Sequence, residues 1–295
     1  MKKALILASG GIDSLTIIAK VIEDNYVPVI LSFNYNQTNL VELNYLKKSL
    51  KQFEEIVSIK FNAKIQHIII NLNFDLFKSN LLQKNHHFNT LNNTNNKLNN
   101  NYNLDDIENS NMQTNNKERD NSNDINCKDN IVNNTNNIEK YNTISDLPLN
   151  SKPSTYVPAR NTIFASYALG LAESLDIDRI FLGIHKQDAP NYPDCSYEYF
   201  LALKNLFLIA SENKVTVNAP LINLNKADII KIGLSLKVDY SNTISCYDPI
   251  VYDVNNINNA IVLNNVEAKA CKKCHACIIR LEAFAKNNIV EKYVN

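Results

Sequence analysis

Two groups of residues in this chain have the types and the spacing to do chemistry. The first is SGGIDS, from Ser9 to Ser14, where two of only 5 glycines in 295 residues stand side by side. The pair lies between a short apolar run and a segment with helical periodicity. That order places backbone N–H groups at a helix N-terminus, and glycine lets the backbone approach an oxyanion closely, so the arrangement favours phosphate. Ser9 and Ser14 add hydroxyl donors. No lysine follows at the spacing of a P-loop. Asp13 does not suit a bare anion site; it suits a loop next to a metal-bound polyphosphate, or an N-cap that shapes the turn. The plainer alternative is a tight strand-to-helix turn with no ligand.

The second group is cysteine. Cys271, Cys274 and Cys277 follow the spacing C-x2-C-x2-C, and Cys246 lies upstream. Four thiolates close a tetrahedral zinc site and leave no open position, which makes such a site structural. One zinc ion per chain is expected. His275 reads as a spacer between ligands, Cys127 as a bystander, and Cys195 as a packing or polar-site residue. Two further stretches carry polar side chains. In GIHKQDAPNYPDC (183–195), Asp188, Tyr192 and Asp194 supply a carboxylate, a stacking face and a second carboxylate, against the alternative of a surface turn. In TYVPARN (155–161), Arg160 stands just before a helix and could grip a phosphate or carboxylate bidentately, against the alternative of a solvated arginine.

The elements that must position these residues follow from hydrophobic period. KALILA (3–8), VPVILSF (27–33), IQHIIIN (65–71) and RIFLGI (179–184) read as buried strands, and VTVNAP (215–220) closes with another. Helices are expected from Asp13, over Leu40–Phe53, over Asn161–Leu175 with Asn161 as N-cap, over Tyr197–Glu212, over Asn225–Leu236, and after Cys277. Alternation of this kind predicts an α/β fold, a parallel sheet flanked by helices, with the 183–195 loop at the carboxyl edge where such sheets bind ligands. From about Lys78 to Asn150 the chain turns Asn-rich, as in LNNTNNKLNNN, and reads as a disordered insertion. NNINNAIVLNN (255–265) reads as a second loop insertion. The expected division is a discontinuous nucleotide-binding core over 1–77 and 151–240, the insertion over 78–150, and a small zinc-binding region over 241–295.

Formal net charge is zero and the pI about 6.9, so no global field points to nucleic acid or membrane, and no direct nucleic-acid partner is expected. No apolar run has the roughly 18 residues a transmembrane helix needs. The N-terminal MKKALILASG reads as a first strand and not as a targeting segment, which predicts a cytoplasmic protein. In a reducing compartment, 6 cysteines point to metal or catalysis more than to disulfides.

SGGIDS matches the signature of the PP-loop ATP pyrophosphatases, a superfamily that adenylates a carboxyl or carbonyl oxygen so that a nucleophile can displace AMP. Amidation, tRNA thiolation and lysidine formation all use that chemistry. FNYNQ (33–37), YVPARN, YPDC, PLINLNKADI (220–229), TISCYD and CKKCHACIIR follow in the order seen in the 7-cyano-7-deazaguanine synthase family, which the chain resembles outside the Asn-rich stretch. The resemblance implies a Rossmann-like fold of the adenine nucleotide alpha hydrolase kind. It implies an ATP-dependent carbon–nitrogen ligase that turns 7-carboxy-7-deazaguanine and ammonia into 7-cyano-7-deazaguanine (preQ0), a step of queuosine biosynthesis, and a homodimer. By that match Ala8, Ser9, Gly10, Gly11, Ile12, Asp13, Ser14 and Leu15 hold ATP with magnesium, and Asp13 and Ser14 act in catalysis. Cys246, Cys271, Cys274 and Cys277 hold zinc, and Arg160, Asp188, Tyr192 and Asp194 face substrate. The chain departs from the family at Asn36 and Ala159, which take glycine places, and at Thr38 and Asn39, which take basic ones. Asn36 is expected to keep the turn, because asparagine tolerates positive φ. A tRNA-modifying PP-loop enzyme and a non-enzymatic binding protein are the rivals. The first should carry an RNA-binding domain or basic stripe, and the second should have lost SGGIDS.

Overall fold

Strand β1 (Lys3–Leu7) lies in the middle of a five-stranded sheet with β2 (Val27–Asn34), β3 (Gln66–Asn71), β4 (Arg179–Phe181) and β5 (Thr216–Asn218), in the order β3-β2-β1-β4-β5. Every neighbouring pair is parallel. The computed structural model describes residues 1–74, 77, 79, 81–82, 153, 155–253 and 266–290. Met1–Lys84 and Asn150–Asn295 make one compact unit. Cys127, the 255–265 stretch and nearly all of 78–150 lie outside the described residues.

Side chains alternate across a strand, and a parallel sheet is covered on both faces, so neighbours in sequence belong to opposite cores. Ala4, Ile6 and Ile30 pack with helices α1 (Ile12–Glu23), α2 (Glu42–Phe61), α5 (Lys226–Ser235) and α6 (His275–Lys286). Leu5, Val29 and Leu31 pack with α3 (Arg160–Ser174) and α4 (Tyr197–Ala210). Pro28 is tolerated inside β2 because the pairing with β3 begins only at Val29. A short antiparallel pair, β6 (Ile250–Asp253) and β7 (Val266–Lys269), stands apart from the main sheet.

Several boundaries differ from those expected. Helix α2 continues to Phe61 because Val57 and Phe61 extend its apolar stripe, and Asn62 ends it in the left-handed region at φ 49°. Asn161 is not the N-cap of α3. The helix already begins at Arg160, after Ala159 at φ 52°, and the Asn161 N–H donates to the Asp194 carboxylate at 3.0 Å. The cap therefore comes from a residue distant in sequence. Helix α6 starts at His275, so Cys277 lies inside it. The β6–β7 pair was not anticipated; the Tyr45 hydroxyl of α2 accepts the Ala268 N–H at 3.1 Å and holds it from outside. Asparagine takes over glycine's usual turn positions: Asn25, Asn36, Asn62 and Asn213 have positive φ, as expected for Asn36.

Candidate nucleotide and substrate site with a four-cysteine centre

Strand order reverses at β1, since β2 lies on one side of it and β4 on the other. The crevice at the carboxyl ends of β1 and β4 is the position where open α/β sheets bind ligands. Residues Ala8–Leu15 enter it from β1. Gly10 has φ +107°, and a Cβ there would lie 2.6 Å from the Glu42 carbonyl oxygen and 2.9 Å from Leu46 Cβ. Gly11 is different: it is the N-cap of α1 with no side-chain cap, and a Cβ on it would meet only Ser9 Oγ, at 3.8 Å. The second glycine thus keeps open the space over a helix N-terminus whose first N–H groups have no intrahelical partners.

The rest of the loop is anchored by its own chain. Ala8 donates its N–H to Leu31 O at 2.9 Å, and its carbonyl accepts from Ser32 Oγ at 2.6 Å. Ser14 Oγ accepts the Ser9 N–H at 3.1 Å, which bends the loop back on the helix. Ala8, Ile12 and Leu15 are buried in the core. Of the eight expected nucleotide contacts, these three therefore offer backbone only, and the Ala8 and Leu15 N–H groups are already engaged within the chain.

Asp13 projects from the first turn of α1 and receives Lys226 Nζ on both oxygens, at 2.7 and 2.8 Å. His185 Nε2 lies 3.5 Å from Asp13 and 3.1 Å from Asp188. Burial works against the Asp13 charge, but Lys226 and His185 outweigh it and hold its carboxyl well below the usual carboxylate range. Asp188 moves the other way: burial is its largest influence and raises its carboxyl above the usual value. Asp13 is not the N-cap that the alternative reading allowed, because Gly11 takes that place. Lys226 is held at the head of α5 by a reciprocal capping box between Asn225 and Asp228, and its N–H donates to Gln187 Oε1 at 2.6 Å.

The other candidate residues gather beside this crevice. Arg160 donates to the Tyr35 hydroxyl at 3.2 Å, and it also faces Asp194 and Cys195. The Tyr192 hydroxyl is 2.7 Å from Thr155 Oγ1, and its ring lies 6.4 Å from that of Tyr156. Asp194 is buried and caps α3, so its direct effect is to set the helix that carries Arg160. Cys195 is buried away from the other thiols; the Asn161 amide donates to its sulfur at 3.3 Å.

Cys246, Cys271, Cys274 and Cys277 come together with their sulfurs all within 4.8 Å of one another. Tetrahedral Zn–S bonds of about 2.3 Å place ligands about 3.8 Å apart, so a small inward movement closes the set on the ion. Two backbone N–H groups already point at sulfur, Cys271 N to Cys246 Sγ at 3.2 Å and Cys274 N to Cys271 Sγ at 3.3 Å. Such donors stabilise thiolate ligands. The cluster fits a metal ion such as zinc. Val41, Tyr45 and Ile244 pack against it, which joins it to α2.

A family model described as "Queuosine biosynthesis protein QueC" matches residues 3–114 and 107–288. The chain belongs to the QueC family. Proteins named 7-cyano-7-deazaguanine synthase are similar along their whole length. That of Rickettsia felis is 36% identical over 98% of this chain and 97% of the relative. Those of Rickettsia bellii (strain OSU 85-389) and Rickettsia prowazekii are 37% and 36% identical, over 98% and 100% of this chain and 96% and 100% of theirs.

In this QueC-family chain three residues reach the site that the sequence reading did not single out. Lys226 could have been noticed as a cation at the first position of a helix, where the macrodipole disfavours it unless an anion compensates. His185 and Glu42 carry no local signal. Glu42 opens α2 and His185 lies in the loop after β4, and each becomes part of the site only because another element covers it.

Proposed function

We propose that this chain is an ATP-dependent ligase that converts 7-carboxy-7-deazaguanine and ammonia into 7-cyano-7-deazaguanine through an adenylated intermediate, in queuosine biosynthesis. Family membership supports the reaction class. The observation that carries the reading to residues is the uncapped N-terminus of α1 at the sheet's switch point, with Gly11 open above it and Lys226 beside Asp13. A carboxylate is a poor electrophile until one oxygen becomes a leaving group. Transfer of AMP to that oxygen releases pyrophosphate, ammonia then displaces AMP to give the amide, and a second activation lets the amide lose its oxygen to give the nitrile. The N–H groups at the head of α1 and the Lys226 ammonium receive the negative charge that builds on the leaving phosphates. Magnesium bound near Asp13 would neutralise part of the same charge.

Arg160 and Tyr192 are the substrate-facing groups in this reading, with Asp188 at the rim and Asp194 holding α3. Zinc occupies the four cysteines and stabilises the fold without touching the reaction. The core over 1–77 and 151–240 carries the chemistry, and 241–295 carries the zinc. The protein works in the cytoplasm as a homodimer; the exposed apolar residues Leu201, Leu206 and Ile209 along α4 support a partner surface. No helix among the described residues is long and apolar enough to cross a membrane.

The test is mass spectrometry of the product formed by purified protein from ATP, ammonium and the deazaguanine acid. The nitrile should appear together with AMP, and Asp13→Ala should abolish it while the circular dichroism spectrum is kept. Folded, zinc-loaded wild-type protein that forms no nitrile would overturn the assignment.

A further inference from the structure

The β1–β2 register ends at Leu7, one residue before Ala8 leads into the Ser9–Ser14 loop. Past that point a side chain takes over from the ladder. Ser32 of β2 is buried, and its hydroxyl donates to the Ala8 carbonyl at 2.6 Å. A carbonyl oxygen can only accept, so the single Ser32 proton lies on that bond. His67 of β3 reaches the same hydroxyl, with Nε2 2.9 Å from Ser32 Oγ. Ser32 has no second proton to offer, so His67 Nε2 is the donor there. An imidazolium carries a proton on Nε2 in any case, and a neutral ring must keep its one proton on that nitrogen. The fixed direction then passes into the loop. The Ala8 carbonyl and the Ser9 N–H belong to one planar trans peptide and point opposite ways. Ser32 grips the carbonyl end, and Ser14 Oγ accepts the Ser9 N–H at 3.1 Å at the other. Ser14 uses a lone pair in that bond and keeps its own O–H to donate at the head of α1.

We propose that Ser32 is a positioning residue for the Ser9–Ser14 loop, oriented by His67, and that the two lock the Ala8–Ser9 peptide with its carbonyl turned away from the leaving phosphates and the Ser14 hydroxyl turned toward them. The inference rests on the loop receiving those phosphates, as the preceding reading has it. Without the Ser32 hydroxyl, the Ala8 carbonyl is a buried acceptor with no donor, and the peptide turns to find one. Turning carries the negative end of the peptide dipole toward the anion. It also takes the Ser9 N–H away from Ser14, whose hydroxyl then has no fixed direction. Neither Ser32 nor His67 touches the nucleotide; both act from beneath the loop through one peptide plane. AMP lacks the two leaving phosphates, so its binding is nearly indifferent to that plane.

The experiment is calorimetric titration of zinc-loaded full-length protein with magnesium ATP and, separately, with AMP. Ser32→Ala should raise the ATP Kd about tenfold and the AMP Kd less than about threefold. Ser32→Thr keeps the hydroxyl and should stay within about threefold of wild type for both nucleotides. A merely structural role would weaken ATP and AMP alike. His67→Gln keeps an N–H donor and should behave as wild type, whereas His67→Leu should raise the ATP Kd about fivefold. Combined with Ser32→Ala, His67→Leu should add nothing, because His67 acts only through Ser32. An ATP Kd for Ser32→Ala within about twofold of wild type, equal losses for ATP and AMP, or additive losses in the double variant overturn the proposal while leaving ATP binding intact. Folded wild-type protein that binds no ATP overturns the nucleotide reading itself. Should Ser32→Ala fail to fold, nitrogen-15 NMR of the wild-type histidine rings decides. His67 should carry its proton on Nε2, and a ring protonated only on Nδ1 overturns the proposal.

Discussion

Adjacent glycines in the Ser9–Ser14 loop answer to different constraints, and substitution should separate them. Gly10 combines φ +107° with a Cβ position 2.6 Å from a backbone oxygen, so neither the backbone nor its neighbour can relax cheaply. Gly10→Ala is expected to cost about 2 kcal/mol or more, from backbone strain and overpacking together. Gly11 has ordinary φ and open space, and as an N-cap its replacement by alanine should cost no more than about 1 kcal/mol. Its methyl group would, however, stand over the N–H groups proposed above to receive phosphate. Thermal denaturation should therefore rank Gly10→Ala as the less stable variant, while ATP titration should find Gly11→Ala folded and at least tenfold weaker in binding. An equal loss of stability in both variants would contradict this division.

At the scale of elements, the head of α5 shows how a local motif positions a distant charge. Asn225 Oδ1 accepts the Asp228 N–H at 2.9 Å, and the Asp228 carboxylate accepts the Asn225 N–H at 3.4 Å. The box fixes the first turn, from which Lys226 spans to Asp13 and its N–H to Gln187. Asn225→Ala should cost about 1 kcal/mol of stability, the usual worth of such a cap. It should also lower kcat, because the frayed turn no longer holds Lys226 against the crevice. Asn225→Ser retains the acceptor and should restore both. Denaturant unfolding and steady-state nitrile formation check the pair; an Asn225→Ala enzyme with wild-type kcat would show that Lys226 is placed by Asp13 alone.

Across the whole molecule, α2 is the strut between the four-cysteine centre and the Ser9–Ser14 loop. Near its start Glu42 meets Ser9 and Gly10, one turn on Tyr45 holds the Ala268 backbone, and Ser49 Oγ donates to Asn242 O at 2.6 Å. The residues that face the cysteines form a small core of their own, with Val41, Tyr45, Ile244, Ala268 and Ala270. So few apolar groups offset little ordering entropy, and metal binding should supply much of the folding free energy there. Metal analysis should find one zinc per chain. Chelation or Cys274→Ser should remove hydrogen-exchange protection from 242–246 and 266–286 and abolish activity, while β1, β2 and α1 stay protected. A metal-free protein with full activity and unchanged protection would refute the structural role of the ion.

Sequence by itself determined the strands, the two-sided burial, the glycine pair and the cysteine spacing. Each of these is local: hydrophobic period, helix-start order and ligand spacing are set within a few residues of one another. Tertiary structure alone decided that Lys226 meets Asp13 across 213 residues, that Asp194 and not Asn161 caps α3, and that Glu42 lies under Ser9. Those pairings depend on which strand ends the sheet brings side by side. A chain that reverses its strand order at β1 gathers its charged groups there from loops that share no pattern in sequence. The Asn-for-Gly turns belong between the two cases. Asn36 was legible because asparagine accepts positive φ, whereas Ala159, which has no such preference, takes φ 52° just ahead of the α3 start that Asp194 caps.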